Sequence, residues 1–172
     1  MPWNSLPAHK LAQLPIYQQY FAYANAYFDS AARLCKTLAR STRKASFERG
    51  AVVLYLAQHG LELFYKGAIL KKAPRERSSH GLPQLQNRYK AIYPAKRYHV
   101  KELFRVSYEG LTKAQISQVQ GSEPPTDQLY RYPEDKTGKP WQGLFTFEAS
   151  SFSRELSGLI EQVQSAITHI DA

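Results

Sequence analysis

At 172 residues, 43% hydrophobic and 22% charged, the chain is sized for one domain with a core of its own, and the lack of any run of about 18 apolar residues excludes a membrane-spanning helix. Its single cysteine, Cys35, excludes an internal disulfide and fits a reducing compartment, so the expected location is the cytoplasm. Lysine and arginine number 23 against 14 acids, a formal charge of +9, which favours polyanionic partners and makes nucleic acid the first to consider.

Residues 1–14, with Pro2, Pro7 and the following Pro15, should form an irregular lead-in in which Trp3 is the candidate anchor. MPWNSLPAHK lacks the charged start and apolar block of a signal peptide. From Ile16 to Arg40, Tyr20, Ala24, Tyr27, Ala31, Leu34 and Leu38 recur at three- and four-residue steps and predict a long helix. Arg40, Arg43 and Lys44 suit its C-terminus, either as a solvated end or as a phosphate contact. A second helix is expected from Ala45 to Lys72, burying Val52, Val53, Leu56, Leu63, Phe64, Gly67, Ala68 and Leu70, with Glu62 and Lys66 as i,i+4 neighbours. Pro74 stops it. Ser78 or Ser79 is then the expected cap of a third helix running to Tyr93 and carrying Leu82, Leu85, Tyr89 and Ile92.

Beyond it Lys96, Arg97, His99, Lys101 and Arg105 alternate with Tyr98, Phe104 and Tyr108, and Val100, Leu103, Phe104 and Tyr108 suggest a short helix ended by Gly110. Cations interleaved with rings suit a single-strand binder, cations for phosphate and rings for bases, and equally suit an amphipathic helix end. Residues 112–147 read as an irregular arm rich in proline and glycine, with a hairpin pairing Gln128–Tyr132 against Trp141–Phe147 through the turn DKTG as one form it could take. A last helix from Ser151 to Ile170 follows, capped by Ser151 or Ser153 and striped by Phe152, Leu156, Leu159, Ile160, Val163 and Ile167. The fold expected is an all-α bundle of four or five up-and-down helices with that arm before the last.

The five histidines, at positions 9, 59, 80, 99 and 169, have no metal-ligand spacing, and neither a phosphate-cradling glycine loop nor a G-x-S-x-G elbow occurs. No metal or other cofactor is therefore expected. The remaining chemical constellation is cationic: Arg75 and His80, five residues apart, with Arg77, Arg97, Lys101, Arg131 and Lys136 as further phosphate contacts. A histidine that titrates near neutrality can move a proton, and an arginine can steady phosphate charge. Each also has a plainer role. His80 can bond a backbone group at a helix start, His59 can be a core or dimer-face residue, and Arg131 can pair with Glu134 or Asp135.

LAQHGLELFYKGAIL, with Glu62 and Lys66 as an E-x-x-x-K pair, SSHGLPQL as a G-H-D-L-x-x-L segment, and LYRYPEDKTG with its R-Y-P together resemble the HEPN family, the nucleotide-binding helical bundles of higher eukaryotes and prokaryotes. Ser79 stands in place of that motif's glycine and Gly81 in place of its aspartate. The resemblance implies a homodimer and a defence or toxin–antitoxin context. It also implies, in the family's ribonucleases, an arginine and a histidine four to six residues apart that act as a composite site across the dimer. Arg75 and His80 have that spacing, but Leu82 stands where those enzymes carry a tyrosine, and His80 falls in the other motif. The expectation is accordingly an RNA- or nucleotide-binding module using Arg75, Arg77, His80 and Arg131. The alternatives are a metal-independent endoribonuclease using Arg75 and His80, and an adaptor whose basic face meets an acidic protein.

Overall fold

A computed structural model describes residues 9–41, 43, 46–76, 80–101, 103, 110, 112–122, 134, 138–139 and 147–172. The fold is an all-α helical bundle. Its elements are α1 (His9–Ala12), α2 (Ile16–Arg40), α3 (Phe47–Lys72), α4 (Leu82–Ile92), a 3-10 turn at Lys96–Tyr98, α5 (Lys113–Ser122) and α6 (Ala149–Asp171). No helix among the described residues is long and apolar enough to cross a membrane.

Helix α2 buries one stripe, with Ala24, Ala31 and Leu38 where the spacing puts them and the other three positions shifted by one residue. The residues turned inward are Phe21, Ala24, Phe28, Ala31, Cys35 and Leu38, so that Phe21, Phe28 and Cys35 occupy the places expected for Tyr20, Tyr27 and Leu34. Both sets have helical spacing. The phenylalanines go inside because a tyrosine hydroxyl at those depths would need a partner. Helix α3 is central and is buried along most of its length, from Gly50 to Ile69. Val53, Phe64, Gly67 and Ala68 lie in the core as expected, whereas Val52 is 46% exposed.

Glycine sets the register of these two helices. Gly60 lies against Ala24 and Phe28, and Gly67, seven residues on, lies against Tyr17 and Phe21; the helices are antiparallel and meet at backbone distance. Helix α6 completes the bundle. At one end the Cys35 thiol donates to the Ala149 carbonyl at 3.3 Å. At the other, Lys71 donates to the Tyr17 hydroxyl at 3.0 Å and feels the charge of Asp171, so α6 runs antiparallel to α2 and parallel to α3. Helix α4 folds back on the C-terminal half of α3 through Leu85 and Tyr89, and the Tyr93 hydroxyl donates to the Ala68 carbonyl at 3.0 Å.

Several boundaries differ from the sequence reading for local reasons. Part of the irregular lead-in is the short helix α1, and the start of the arm is helical in α5. Helix α4 starts at Leu82 with Gly81 as its N-cap and a proline in its first turn, which supplies the fixed φ that a helix start favours. Helix α6 starts before Ser151: the Glu148 carboxylate accepts from the backbone N–H groups of Ser150 and Ser151, so an acid upstream does the capping expected of the serines. After Tyr93 the chain makes a 3-10 turn at Lys96–Tyr98; most of the segment on which the short helix is expected, between Val100 and Gly110, lies outside the described residues, and Gly110 has a positive φ of 81°. Trp3, Ser78, Ser79, Phe104, Tyr108 and the hairpin lie outside the described residues, apart from Gly138 and Phe147.

Candidate functional site

The C-terminal half of α3 carries His59, Glu62 and Lys66 on successive turns, so their heads can meet along one strip of helix surface. They do. Lys66 Nζ donates to Glu62 Oε1 at 2.6 Å, and His59 Nδ1 lies 3.5 Å from Glu62 Oε2. The pair is not a surface ornament, since the side chains of Glu62 and Lys66 are only 16% and 9% exposed. His59 is itself fixed by rings, edge-on to Tyr27 at 4.6 Å and stacked with Tyr55 at 5.8 Å.

The turn after α3 brings a fourth group to this strip. His80, just before α4, sets its Nδ1 3.3 Å from Glu62 Oε1 and 3.2 Å from Lys66 Nζ, while 89% of its side chain remains exposed. The imidazole is therefore tethered by one nitrogen and open to solvent at the other. With hydrogen on Nδ1, as the imidazolium or the neutral Nδ1–H tautomer, it donates to Glu62; as the neutral Nε2–H tautomer it accepts from Lys66. Either way the ring keeps its orientation.

Glu62 is held ionised. Burial works against its charge, but hydrogen bonds from His59 and Lys66 and the nearby ammonium outweigh that and bring its pKa down to about 2 from the ordinary 4.5. A carboxylate depressed in the folded state contributes stability above its unfolded pKa and loses it as pH falls through the folded one. Glu62→Gln should therefore flatten the fall in melting temperature between about pH 4.5 and 2. Glu148, held near 2 by the hydroxyl and backbone of Ser151 and the backbone of Ser150, titrates in the same window and keeps the flattening partial. An acid limb unchanged by Glu62→Gln would show that this carboxylate is not held by its neighbours.

The expected site residues are only partly united. Arg75 is exposed in the turn at the end of α3, on the connection that leads to His80, yet His80 bonds to Glu62 and Lys66 and not to Arg75. Arg97 is exposed in the 3-10 turn with its guanidinium 4.9 Å over the Tyr98 ring. Lys101 is exposed, and its backbone N–H donates to Gln162 Oε1 at 2.8 Å. Arg77, Arg131 and Lys136 lie outside the described residues. Glu62, Lys66 and His59 were absent from the expected site set. The visible signal was that the E-x-x-x-K and the histidine segment occur together, but nothing in either spacing says that His80 seats on the ion pair.

The connection is also pinned. Arg88 on α4 forms a fork with Glu76, Nε to Oε1 at 2.8 Å and Nη2 to Oε2 at 2.6 Å, a two-point contact that fixes orientation as well as distance. Among the described residues no group of three His, Cys, Asp or Glu side chains could hold a metal ion. No protein-family model, curated protein or solved structure matches the chain.

Proposed function

We propose that the chain is a HEPN-like module that binds RNA or a nucleotide at the corner between α3 and α4, with Arg75 and His80 meeting phosphate. The observation that carries this reading is the tethered imidazole: Glu62 and Lys66 hold Nδ1 of His80 while the rest of the ring stays open to solvent. A protonated ring so held donates its other N–H outward to an anionic oxygen without losing its internal bond. The exposed guanidinium of Arg75 adds a permanent charge on the same connection, and the chain's formal charge of +9 draws polyanions to it. The resemblance adds a defence or toxin–antitoxin setting and a homodimer, in which two such corners serve one RNA.

One observation favours a second reading as an endoribonuclease. A carboxylate on Nδ1 orients an imidazole for proton transfer through Nε2. His80 would then take the 2′-hydroxyl proton as that oxygen attacks the adjacent phosphorus, Arg75 would steady the charge on the phosphate oxygens, and an acid from a second copy would protonate the departing 5′-oxygen.

An RNA gel assay in EDTA at about 50 mM salt separates these readings. The expected result is shifted, uncut RNA, with Arg75→Ala weakening binding about tenfold and about 200 mM salt weakening it further. Cleavage that persists in EDTA and vanishes in both Arg75→Ala and His80→Ala would establish the nuclease instead. No shift at low salt would sink both and leave an adaptor for an acidic protein.

A further inference from the structure

A cavity opens at the C-terminal end of α4, away from His80. Helix α4 has 11 residues, so at 1.5 Å per residue the two ends stand about 16 Å apart. The cavity is a cleft of about 600 Å³ between α3, α4, the 3-10 turn and α6, within the range of sites that enclose a small organic ligand.

Its floor is a ladder of tyrosines. Ring centroids step from Tyr65 to Tyr89 at 5.0 Å, from Tyr89 to Tyr93 at 5.2 Å and from Tyr93 to Tyr98 at 5.0 Å. The Tyr89 hydroxyl donates to the Tyr98 carbonyl at 2.7 Å and that of Tyr93 to the Ala68 carbonyl. With both hydroxyls engaged, these rings line the cleft with hydrocarbon and π surface. Burial pushes both phenols upward, Tyr93 to about 12, so the floor carries no negative charge at neutrality. Tyr65, Tyr89 and Tyr93 are buried, and the rings a ligand can reach are half-buried Tyr98 and exposed His99.

Among the described residues the rim is of one sign. The charged lining residues are Lys90 and Lys101, both exposed cations, and no acid is among the described lining residues. The bond from the Lys101 backbone to Gln162 fixes the rim to α6. Such a cleft selects a flat, weakly polar body with an anionic end: the body gains stacking and desolvation, and the end gains two ammonium groups.

We propose that this cleft binds a nucleoside monophosphate, its base against Tyr98 and His99 and its phosphate at Lys90 and Lys101. The choice of a nucleotide among aromatic anions rests on the reading given under Proposed function, but the cleft shares no residue with the Arg75–His80 corner.

The test is titration calorimetry of the full chain at about 50 mM salt with AMP, adenosine and inorganic phosphate, on wild type, Lys101→Glu and His80→Ala. The expected result is AMP binding with a dissociation constant of about 1 mM or tighter, and about tenfold weaker binding of adenosine and of phosphate. Lys101→Glu should weaken AMP at least about tenfold with an unchanged melting curve, and the AMP site that Lys101→Glu removes should persist in His80→Ala. Absence of AMP binding up to about 10 mM, or binding indifferent to Lys101→Glu, would overturn the proposal. Loss in His80→Ala with retention in Lys101→Glu would move the nucleotide to the α3–α4 corner and overturn it as well. RNA that shifts through Arg75 and His80 while AMP fails sinks the cleft alone; AMP bound through Lys101 with no RNA shift sinks only the corner.

Discussion

Lys66→Met is expected to lower the unfolding free energy by about 3 kcal/mol. An exposed ion pair contributes about 0–1 kcal/mol, because water screens it and already solvates both partners. Glu62 and Lys66 are different: their side chains are 16% and 9% exposed, and the contact is 2.6 Å long. Methionine keeps the bulk of the buried stem and removes the charge with its hydrogen-bond donors. Glu62 is then left as a carboxylate whose remaining neighbours, His59 and His80, stand farther off at 3.5 and 3.3 Å and carry charge only when protonated. The cost is that of an uncompensated, largely buried anion, so neutralising it should restore stability. The double variant Glu62→Gln/Lys66→Met should recover at least half of what Lys66→Met loses. Urea unfolding followed by circular dichroism at neutral pH measures both. A single variant as stable as wild type would reduce the pair to a screened surface contact.

That pair also marks how far the sequence could be read. Glu62 and Lys66 are four apart on a helix whose existence the apolar period makes plain, so their contact is a local fact. His80 joins them only because the connection after Pro74 folds α4 back onto α3, with Arg88 gripping Glu76 across it; no period within either helix encodes that return. The same limit hid the tyrosine cleft, whose walls come from four separate elements. Where the information is local, the reading succeeded: α2 spans Ile16–Arg40 as its spacing predicts, and α3 stops at Lys72 ahead of Pro74. Where two local answers compete, it slipped. Tyr20, Tyr27 and Leu34 have the same spacing as Phe21, Phe28 and Cys35, and only burial of the hydroxyl-free rings against α3 decides between them. KAQISQVQGS, the α5 segment, has just two large apolar residues, Ile116 and Val119, too few to raise a helical period above an arm otherwise rich in proline and glycine.

One substitution made at two glycines should have opposite signs. Gly67 and Gly158 both sit inside helices, where alanine is intrinsically better by about 0.5–1 kcal/mol because it has less backbone freedom to lose. At Gly158 a Cβ meets nothing within 4 Å, so Gly158→Ala should stabilise by about that amount and raise the melting temperature by about 2 °C. At Gly67 the Cβ falls 2.9 Å from the Tyr17 carbonyl oxygen and 2.9 Å from the Phe21 ring. The carbonyl belongs to the backbone of α2, and Phe21 is buried, so neither can turn aside; α2 and α3 must separate along their longest contact. Overpacking of this kind costs about 1–3 kcal/mol. Set against the helical gain, Gly67→Ala should lose about 1 kcal/mol and about 2–4 °C in melting temperature. Two glycines that respond alike would mean that α2 and α3 do not meet at Gly67.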